Sequence, residues 1–404
     1  MLTFEQARNE VITQISKTKR APATVNLSVW DALGYVLAQD LTADRDYPPF
    51  DRATRDGYAV RASESIAGAK LACIGEIKAG DALTQALERG TCVQIMTGAP
   101  VPPEADAVVM IEYTSRDNEF IHFQQTATKG QNIVRAGSET AKNQSLLQAG
   151  VRLGYAELGL AAQIGAPTQL RCAKKPRVAI LSTGDEIVPI DATPGPFQIR
   201  NSNSVSLSAQ VRDAGGEPVI LGNAADRIES LGDKIQQGLQ EDLLVLSGGV
   251  SMGKYDLVED VLKSLGATFY FDAVAIRPGK PAVFAMCNEK PVFGLPGNPV
   301  STMVTFELFV VPAIDLLSGA PARPLPFLKA TVATAMKEKP GMTHFLPARV
   351  QFDSGDARVK ALAWQGSGDT VTMAKANCFL VVGSDVQTLA AGENVNVLMR
   401  RGVW

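Results

Sequence analysis

The chain has 404 residues, more than one ordinary hydrophobic core accommodates and enough for two to four domains. Hydrophobic residues make up 46% and charged residues 20%, with a formal net charge of −3, so a non-specific nucleic-acid binder, which would be basic, is disfavoured. No run of about 18 uninterrupted apolar residues occurs, so no membrane-spanning helix is expected. The longest apolar stretch, around Val300 to Leu317, is broken by Thr305, Glu307, Pro312 and Asp315. The opening Met1-Leu2-Thr3-Phe4-Glu5-Gln6 lacks the basic start and apolar centre of a signal peptide. Cys73, Cys92, Cys172, Cys287 and Cys378 are scattered and never form C-x-x-C, which fits a reducing, cytoplasmic setting without structural zinc. With only His122 and His344, any acid–base work falls to carboxylates, Lys and Arg.

In chain order, Thr3-x-x-Gln6 reads as a capping box, followed by Ala7, Val11, Ile12 and Ile15 on one helical face. Ser28-x-x-Asp31, leading into Ala32, Leu33, Val36 and Leu37, signals a second helix. From Tyr47 to about Gly150 short β-prone runs (Leu71–Ile74, Val93–Met96, Ala107–Ile111, Phe120–Phe123) alternate with Gly, Pro, Asn and Asp clusters, a β-rich insert. Gly150 to Ala173 returns to a helical or mixed pattern, and Lys174-Lys175-Pro176-Arg177 reads as a linker. Strand and helix then alternate: Val178–Leu181, helix Asn203–Ala214, Pro218–Leu221, helix Arg227–Gln240, Leu243–Leu246, helix Tyr255–Leu265. That spacing predicts a parallel sheet covered on both faces. After Pro324 the runs Leu328–Ala333 and Cys378–Val382 indicate a small β domain.

Open parallel sheets bind ligands beyond the carboxyl ends of their strands. Three strand ends here enter glycine-rich polar loops: Ser182-Thr183-Gly184-Asp185-Glu186, Ser247-Gly248-Gly249-Val250-Ser251-Met252-Gly253, and Pro296-Gly297-Asn298-Pro299-Val300-Ser301 with a helix following. Glycine admits close backbone approach, and free N–H groups at a helix start favour an anion. One such loop is usually just a turn; three converging on one sheet predict a site for a phosphate-bearing ligand. Arg277-Pro278-Gly279-Lys280, between two predicted strands, is either a solvated hairpin tip or an oxyanion clamp. Asp185 and Glu186 lie side by side where adjacent acids could hold Mg²⁺. Asp226 and Asp256 read equally well as helix-start residues, Asp226 as an N-cap with Glu229 three residues on.

These segments resemble one family. Pro48-Pro49-Phe50-Asp51 with Asp56-Gly57-Tyr58-Ala59, then Thr97-Gly98-Ala99-Pro100, Ser182–Glu186, Ser247–Gly253, Pro278–Lys280 and Leu295–Ser301 follow, in order, the motifs of the molybdopterin molybdenumtransferases (MoeA), which include the C-terminal domain of gephyrin. The resemblance implies insertion of molybdate into adenylylated molybdopterin with Mg²⁺-dependent release of AMP, by a homodimer of four-domain subunits. It implies a fold of multi-domain α/β plus β type: a central doubly wound α/β molybdopterin-binding domain (175–322), a β-rich insert (47–145), and a C-terminal β domain (323–404). A small dimer-forming domain (21–46 and 146–174) and an N-terminal helix (1–20) complete it. The implied catalytic residues are Asp56, Glu186, Asp226, Asp256 and Lys280, with Glu186, Asp226 and Asp256 on the metal. Substrate contacts carried over are Thr97, Glu139, Thr183, Gly184, Asn203, Gly248, Gly249, Ser251, Gly253, Arg277, Pro296, Gly297, Asn298 and Ser301. Molybdopterin adenylyltransferase and molybdoenzyme acceptors are the implied protein partners, with no nucleic acid and no membrane. A non-catalytic scaffold on the same fold and a tungstate-selective paralogue are the alternatives.

The chain departs from the family pattern at several points. Arg277 stands where Lys is frequent, Glu139 where Asp is, and Asn201 where Asp is common. Family arginines near Met342 and Pro347 are missing although Arg349 remains, and Thr372 replaces a Ser. The tail changes weaken any phosphate-contact role there.

Overall fold

The structure is a computed structural model that describes residues 1–18, 21–81, 85–165, 169–249, 257–353 and 355–401. Its centre is a six-stranded sheet. Strand Arg177–Thr183 lies between Glu217–Ala224 and Leu243–Ser247, and Lys290–Leu295 follows, all four parallel. Val283–Cys287 and Thr268–Phe271 extend that edge antiparallel. The parallel strands are near-continuous apolar runs because both faces are covered. Val178, Ile180, Leu243, Val245, Phe293 and Leu295 pack against helix Ser202–Ala214 and the helical run beginning at Pro299. Ala179, Leu181, Leu244 and Leu246 face helices Ile228–Gly238 and Leu257–Ser264. Burying each such Leu or Ile contributes about 1.5–3 kcal/mol.

Helix Phe4–Lys17 starts with the expected capping box, Thr3 Oγ1 accepting from the Gln6 N–H and Gln6 returning the bond. Its apolar face packs on the central unit, and Phe4 meets Phe345 of the tail edge-on at 5.4 Å. One helical run, Pro299–Leu317, is long and apolar enough to cross a bilayer, but 83% of it is buried inside the protein as a core element. Pro312 removes an N–H and its ring crowds the preceding turn. The run widens to π-helix over Phe306–Val310 immediately before it.

The insert is a six-stranded sheet whose order is Ala107–Met110, Gly57–Val60, Thr91–Ile95, Lys70–Ile77, Phe120–Phe123, Thr114–Asp117. In the tail, strands Thr343–Asp353, Asp356–Ala361, Phe327–Val332, Asn394–Met399 and Cys378–Val382 close on themselves, since the first also pairs with the last. Closure removes free strand edges around an interior of Leu346, Val350, Val359, Leu380 and Val397.

Two expectations are corrected. The stretch from Ser28 to Leu37 is not a helix: strand Thr24–Ser28 pairs antiparallel with Gln169–Ala173, a turn follows, and Val36–Leu37 joins the other side of that strand. Ser28 Oγ bonds the Asp31 carboxylate rather than capping a helix, and Trp30 and Leu33 are exposed. Nor is Arg277-Pro278-Gly279-Lys280 a hairpin tip, because Ile276–Arg277 pairs in parallel with Thr343–His344 of the tail.

Candidate anion-binding cleft

Helix Ser202–Ala214 leads from the Arg177–Thr183 strand to its neighbour on one side, and helix Ile228–Gly238 leads on to Leu243–Ser247 on the other. The chain therefore reverses its winding between Thr183 and Ser247, the position where doubly wound sheets open a crevice. A cleft of about 620 Å³ lies there. It is lined by Thr183, Gly184, Glu186, Asn203, Asp226, Gly248, Gly249, Pro296, Gly297 and Asn298, so most of the carried-over α/β residues share one site. Ser251, Gly253 and Asp256 lie outside the described residues.

The loops are tightly interlocked. Asn203 Nδ2 donates to Ser247 Oγ at 2.8 Å and to the Gly297 carbonyl at 2.7 Å, and Gly248 N–H donates to the Leu295 carbonyl at 3.1 Å. Gly248 (φ 92°) and Gly249 (φ 66°) hold left-handed backbone. A Cβ at Gly248 would sit 2.8 Å from the Thr183 carbonyl oxygen, and one at Gly249 2.7 Å from Thr183 Oγ1. A Gly248→Val variant is accordingly expected to fold poorly or lose ligand binding at least tenfold, measured by titration with AMP; wild-type affinity would show that the close approach is dispensable.

Two helix starts face the cleft. Asn201 caps the first, its Oδ1 accepting from the Ser204 N–H at 3.0 Å and from Ser182 Oγ at 3.1 Å. Asn298, with Pro299 behind it, begins the second. Each helix start carries partial positive charge, although at the second Pro299 has no N–H and the Val300 N–H is taken by the Ser367 carbonyl. Thr183 Oγ1 and Asn203 Oδ1 are buried without a hydrogen-bond partner, so the wall holds polar atoms that a ligand can satisfy. Across from these, Asp226 is not the N-cap expected of it; Arg227 occupies that position. The Asp226 N–H instead donates to Asp185 Oδ1 at 3.3 Å. Burial, then the charges of Asp185 and Glu186, raise the Asp226 carboxyl above the usual range. The cleft thus has an anion-attracting side and an acidic side that favours a cation.

Other predicted residues lie elsewhere. Asp56 and Thr97 form an exposed pair on the insert, the Thr97 N–H and Oγ1 both donating to Asp56 Oδ1 at 2.7 Å and holding its carboxyl below the usual range. Glu139 pairs with Arg52 at 2.8 Å, also outside the cleft. Ser301 is buried in its helix and Arg277 is exposed beyond the cleft lining; Lys280 is exposed beside the lining residue Pro281. Thr372 Oγ1 donates to Asp369 Oδ2 at 2.7 Å within a helix cap, a bond that a Ser hydroxyl could make equally. Sequence reasoning missed Arg200, directly before the capping Asn201, and the tail residues Gly368 and Thr370, which close the cleft's far wall. The Gly366-Ser367-Gly368-Asp369 turn was the available signal. Its Ser367 accepts from Asn298 Nδ2 at 2.8 Å, and the Ser367 carbonyl accepts from the Val300 N–H.

A doubly wound sheet with an anion-and-cation cleft at its switch point, set between a β insert and a closed β tail, defines a multi-domain α/β ligand-binding protein. Residues 2–165 match the MoeA N-terminal region (domain I and II), 179–316 a probable molybdopterin binding domain, and 329–399 the MoeA C-terminal region (domain IV). The molybdopterin molybdenumtransferase of Staphylococcus epidermidis is 30% identical over 396 residues, covering 96% of this chain and 94% of its own. That of Bacillus subtilis is 32% identical over 406 residues, covering 97% and 94%. A solved molybdopterin biosynthesis MoeA protein from Pyrococcus horikoshii superposes with a TM-score of 0.80 at 26% identity, covering 99% of this chain and all of that one. The chain belongs to the molybdopterin molybdenumtransferase family.

Proposed function

We propose that the cleft binds adenylylated molybdopterin and that the chain inserts molybdenum from molybdate into it, releasing AMP. Family membership makes the chain a transferase that inserts molybdenum into molybdopterin in cofactor biosynthesis. The observation that carries the assignment to this cleft is the pairing of two helix starts and the unpartnered oxygens Thr183 Oγ1 and Asn203 Oδ1 with the acidic Glu186–Asp226 side. Phosphates lie on the helix starts and glycine loops, while Lys280 and Arg277 neutralise the incoming oxyanion. The protein's contribution is orientation and charge neutralisation rather than proton transfer through His.

Among the described residues no group of three or more His, Cys, Asp or Glu is placed to hold a metal alone. Mg²⁺ fits nonetheless, because it is commonly held by one or two carboxylates completed by substrate phosphates and water. Glu186 and Asp226, with Asp256, would hold it, and bound there it would supply charge neutralisation at the pyrophosphate. Because the Asp226 pKa is raised, a proton competes with the metal for its carboxylate. Mg²⁺ half-saturation should therefore fall as pH rises through that pKa; a flat profile would remove Asp226 from the metal site.

The Asp56–Thr97 pair stands outside its own chain's cleft, and we assign it to the cleft of a second copy in a homodimer. Large exposed apolar side chains on the small three-stranded unit (Trp30, 94% exposed, and Tyr155, 91%) support such an interface. Light scattering should give about twice 42.9 kDa, and a monomer would sink the shared site. We place the reaction in the cytoplasm, a reading that the five unbridged thiols support. The deciding experiment mixes purified protein, adenylylated molybdopterin, Mg²⁺ and molybdate and follows AMP. Molybdate-dependent release supports the transferase reading at this site. Tight binding without turnover would overturn it in favour of a carrier or scaffold.

A further inference from the structure

Cys73 and Cys92 are register partners on the neighbouring parallel strands Lys70–Ile77 and Thr91–Ile95 of the insert sheet. Such partners project from the same face of strands roughly 4.7–4.9 Å apart, inside the Cα separation of about 4.4–6.8 Å that a disulfide needs. The Cys73 thiol is near enough to act on the Cys92 thiol electrostatically. Cys92 is fully buried, whereas Cys73 is only partly covered, so solvent reaches the pair from one side. The Cys73 thiol contacts the Gly75 carbonyl at 3.4 Å, and the ladder slips register between Cys73 and Glu76. That irregularity frees the Cys73 backbone to adjust where a regular strand would resist. Tyr58 and Arg116 complete the cluster, Arg116 acting electrostatically on both Tyr58 and Cys92. Nothing in the transfer chemistry uses these groups.

We propose that Cys73 and Cys92 are a redox-modification site that takes a peroxide as oxidant and closes to an intramolecular disulfide. The Cys73 thiolate attacks one peroxide oxygen, the O–O bond breaks, and Cys73 becomes a sulfenic acid as hydroxide leaves and is protonated to water. The Cys92 sulfur then attacks the Cys73 sulfur. The S–O bond breaks, and the departing hydroxide takes the Cys92 proton as a second water. Two thiols are oxidised and one peroxide is reduced. Burial, and then the adjacent Cys73, push the Cys92 thiol up to about 12, which makes the accessible Cys73 the first to react and Cys92 the resolving partner.

The test treats the full chain, natively folded, with hydrogen peroxide and then digests it with trypsin under non-reducing conditions. Cys73 falls in peptide 71–78 and Cys92 in 90–116, one cysteine in each. The expected result is a 71–78/90–116 cross-linked peptide, an intact mass lower by about 2 Da for the two hydrogens removed, and a free-thiol count reduced by two. Cys92→Ser should instead hold Cys73 as a sulfenic acid that dimedone traps. Oxygen addition without the cross-link, a bridge between other cysteines, or a disulfide between two chains would each overturn the proposal. The wild-type peptide map decides this even if a variant fails to fold.

Discussion

An Asp226→Asn variant should fold normally and lose molybdate-dependent AMP release by about a hundredfold or more. The carboxylate sits at the switch point with its charge already disfavoured by burial and by Asp185 and Glu186. Folding tolerates that crowding but gains nothing from it, so neutralising one member should relieve the resting protein while removing an oxygen ligand from any cation beside the phosphates. Loss of a supporting residue outside the ligand shell already costs 10–100-fold in metal affinity as a rough guide, and a direct ligand is expected to cost at least the upper end. The measurement is AMP release against Mg²⁺ concentration, with thermal unfolding alongside. Partial rescue at high Mg²⁺ with unchanged or raised stability is the expected pattern. Wild-type turnover at low Mg²⁺ would confine Asp226 to a structural role.

The second large effect concerns stability. Asp315 is wholly buried on the core helix and is met by two cations from different parts of the chain: Arg152 Nη2 at 3.1 Å and Arg323 Nη2 at 2.7 Å, on the same oxygen. Its other oxygen accepts from the Arg323 backbone N–H and Nε, both at 3.0 Å. Arg152 belongs to the small unit, and Arg323 leads into the tail, whose carbonyl also accepts from Arg8 of the N-terminal helix. Removing one partner of a buried pair leaves the others uncompensated, so Asp315→Ala is expected to cost about 3–5 kcal/mol. Asp315→Asn, which keeps the shape and some acceptor capacity, should cost less. Urea titration followed by intrinsic fluorescence reads both. If the two variants unfold within about 1 kcal/mol of wild type, the network is peripheral to stability.

The parts of the molecule that were legible in the sequence are those whose signal is local. Val178–Leu181, Leu243–Leu246 and Val292–Leu295 are unbroken apolar runs because a sheet covered on both faces leaves no polar side, and the glycine loops that follow them mark the cleft. The error at Ser28–Leu37 came from a polar spacing that imitates a helix start. What decides that segment is pairing with Gln169–Ala173, far along the chain, and no local pattern carries it. Asp226 lines the cleft, as the resemblance implied, but its sequence context reads as an N-cap, since Glu229 three residues on satisfies the cap pattern without making it. Gly368 and Thr370 were illegible because their role depends on where the tail docks. The Asp56–Thr97 bond was implicit in two short motifs, yet nothing in either says that the pair lies outside its own chain's cleft.

The short parallel pairing of Ile276–Arg277 with Thr343–His344 has a mechanical meaning. Leu2 bridges Val274 and its carbonyl accepts from the Ala275 N–H, while the Ala275 carbonyl accepts from the Thr343 N–H, so three regions are stitched at one point. The closed tail meets the central unit at two places, through Gly368 and Thr370 in the cleft lining and through the Thr343–His344 pairing with the strand that runs into the Pro278–Lys280 turn. The Pro278–Lys280 turn thus takes its support from three separate stretches of chain, and loosening any one of them would loosen the placing of Arg277 and Lys280 together.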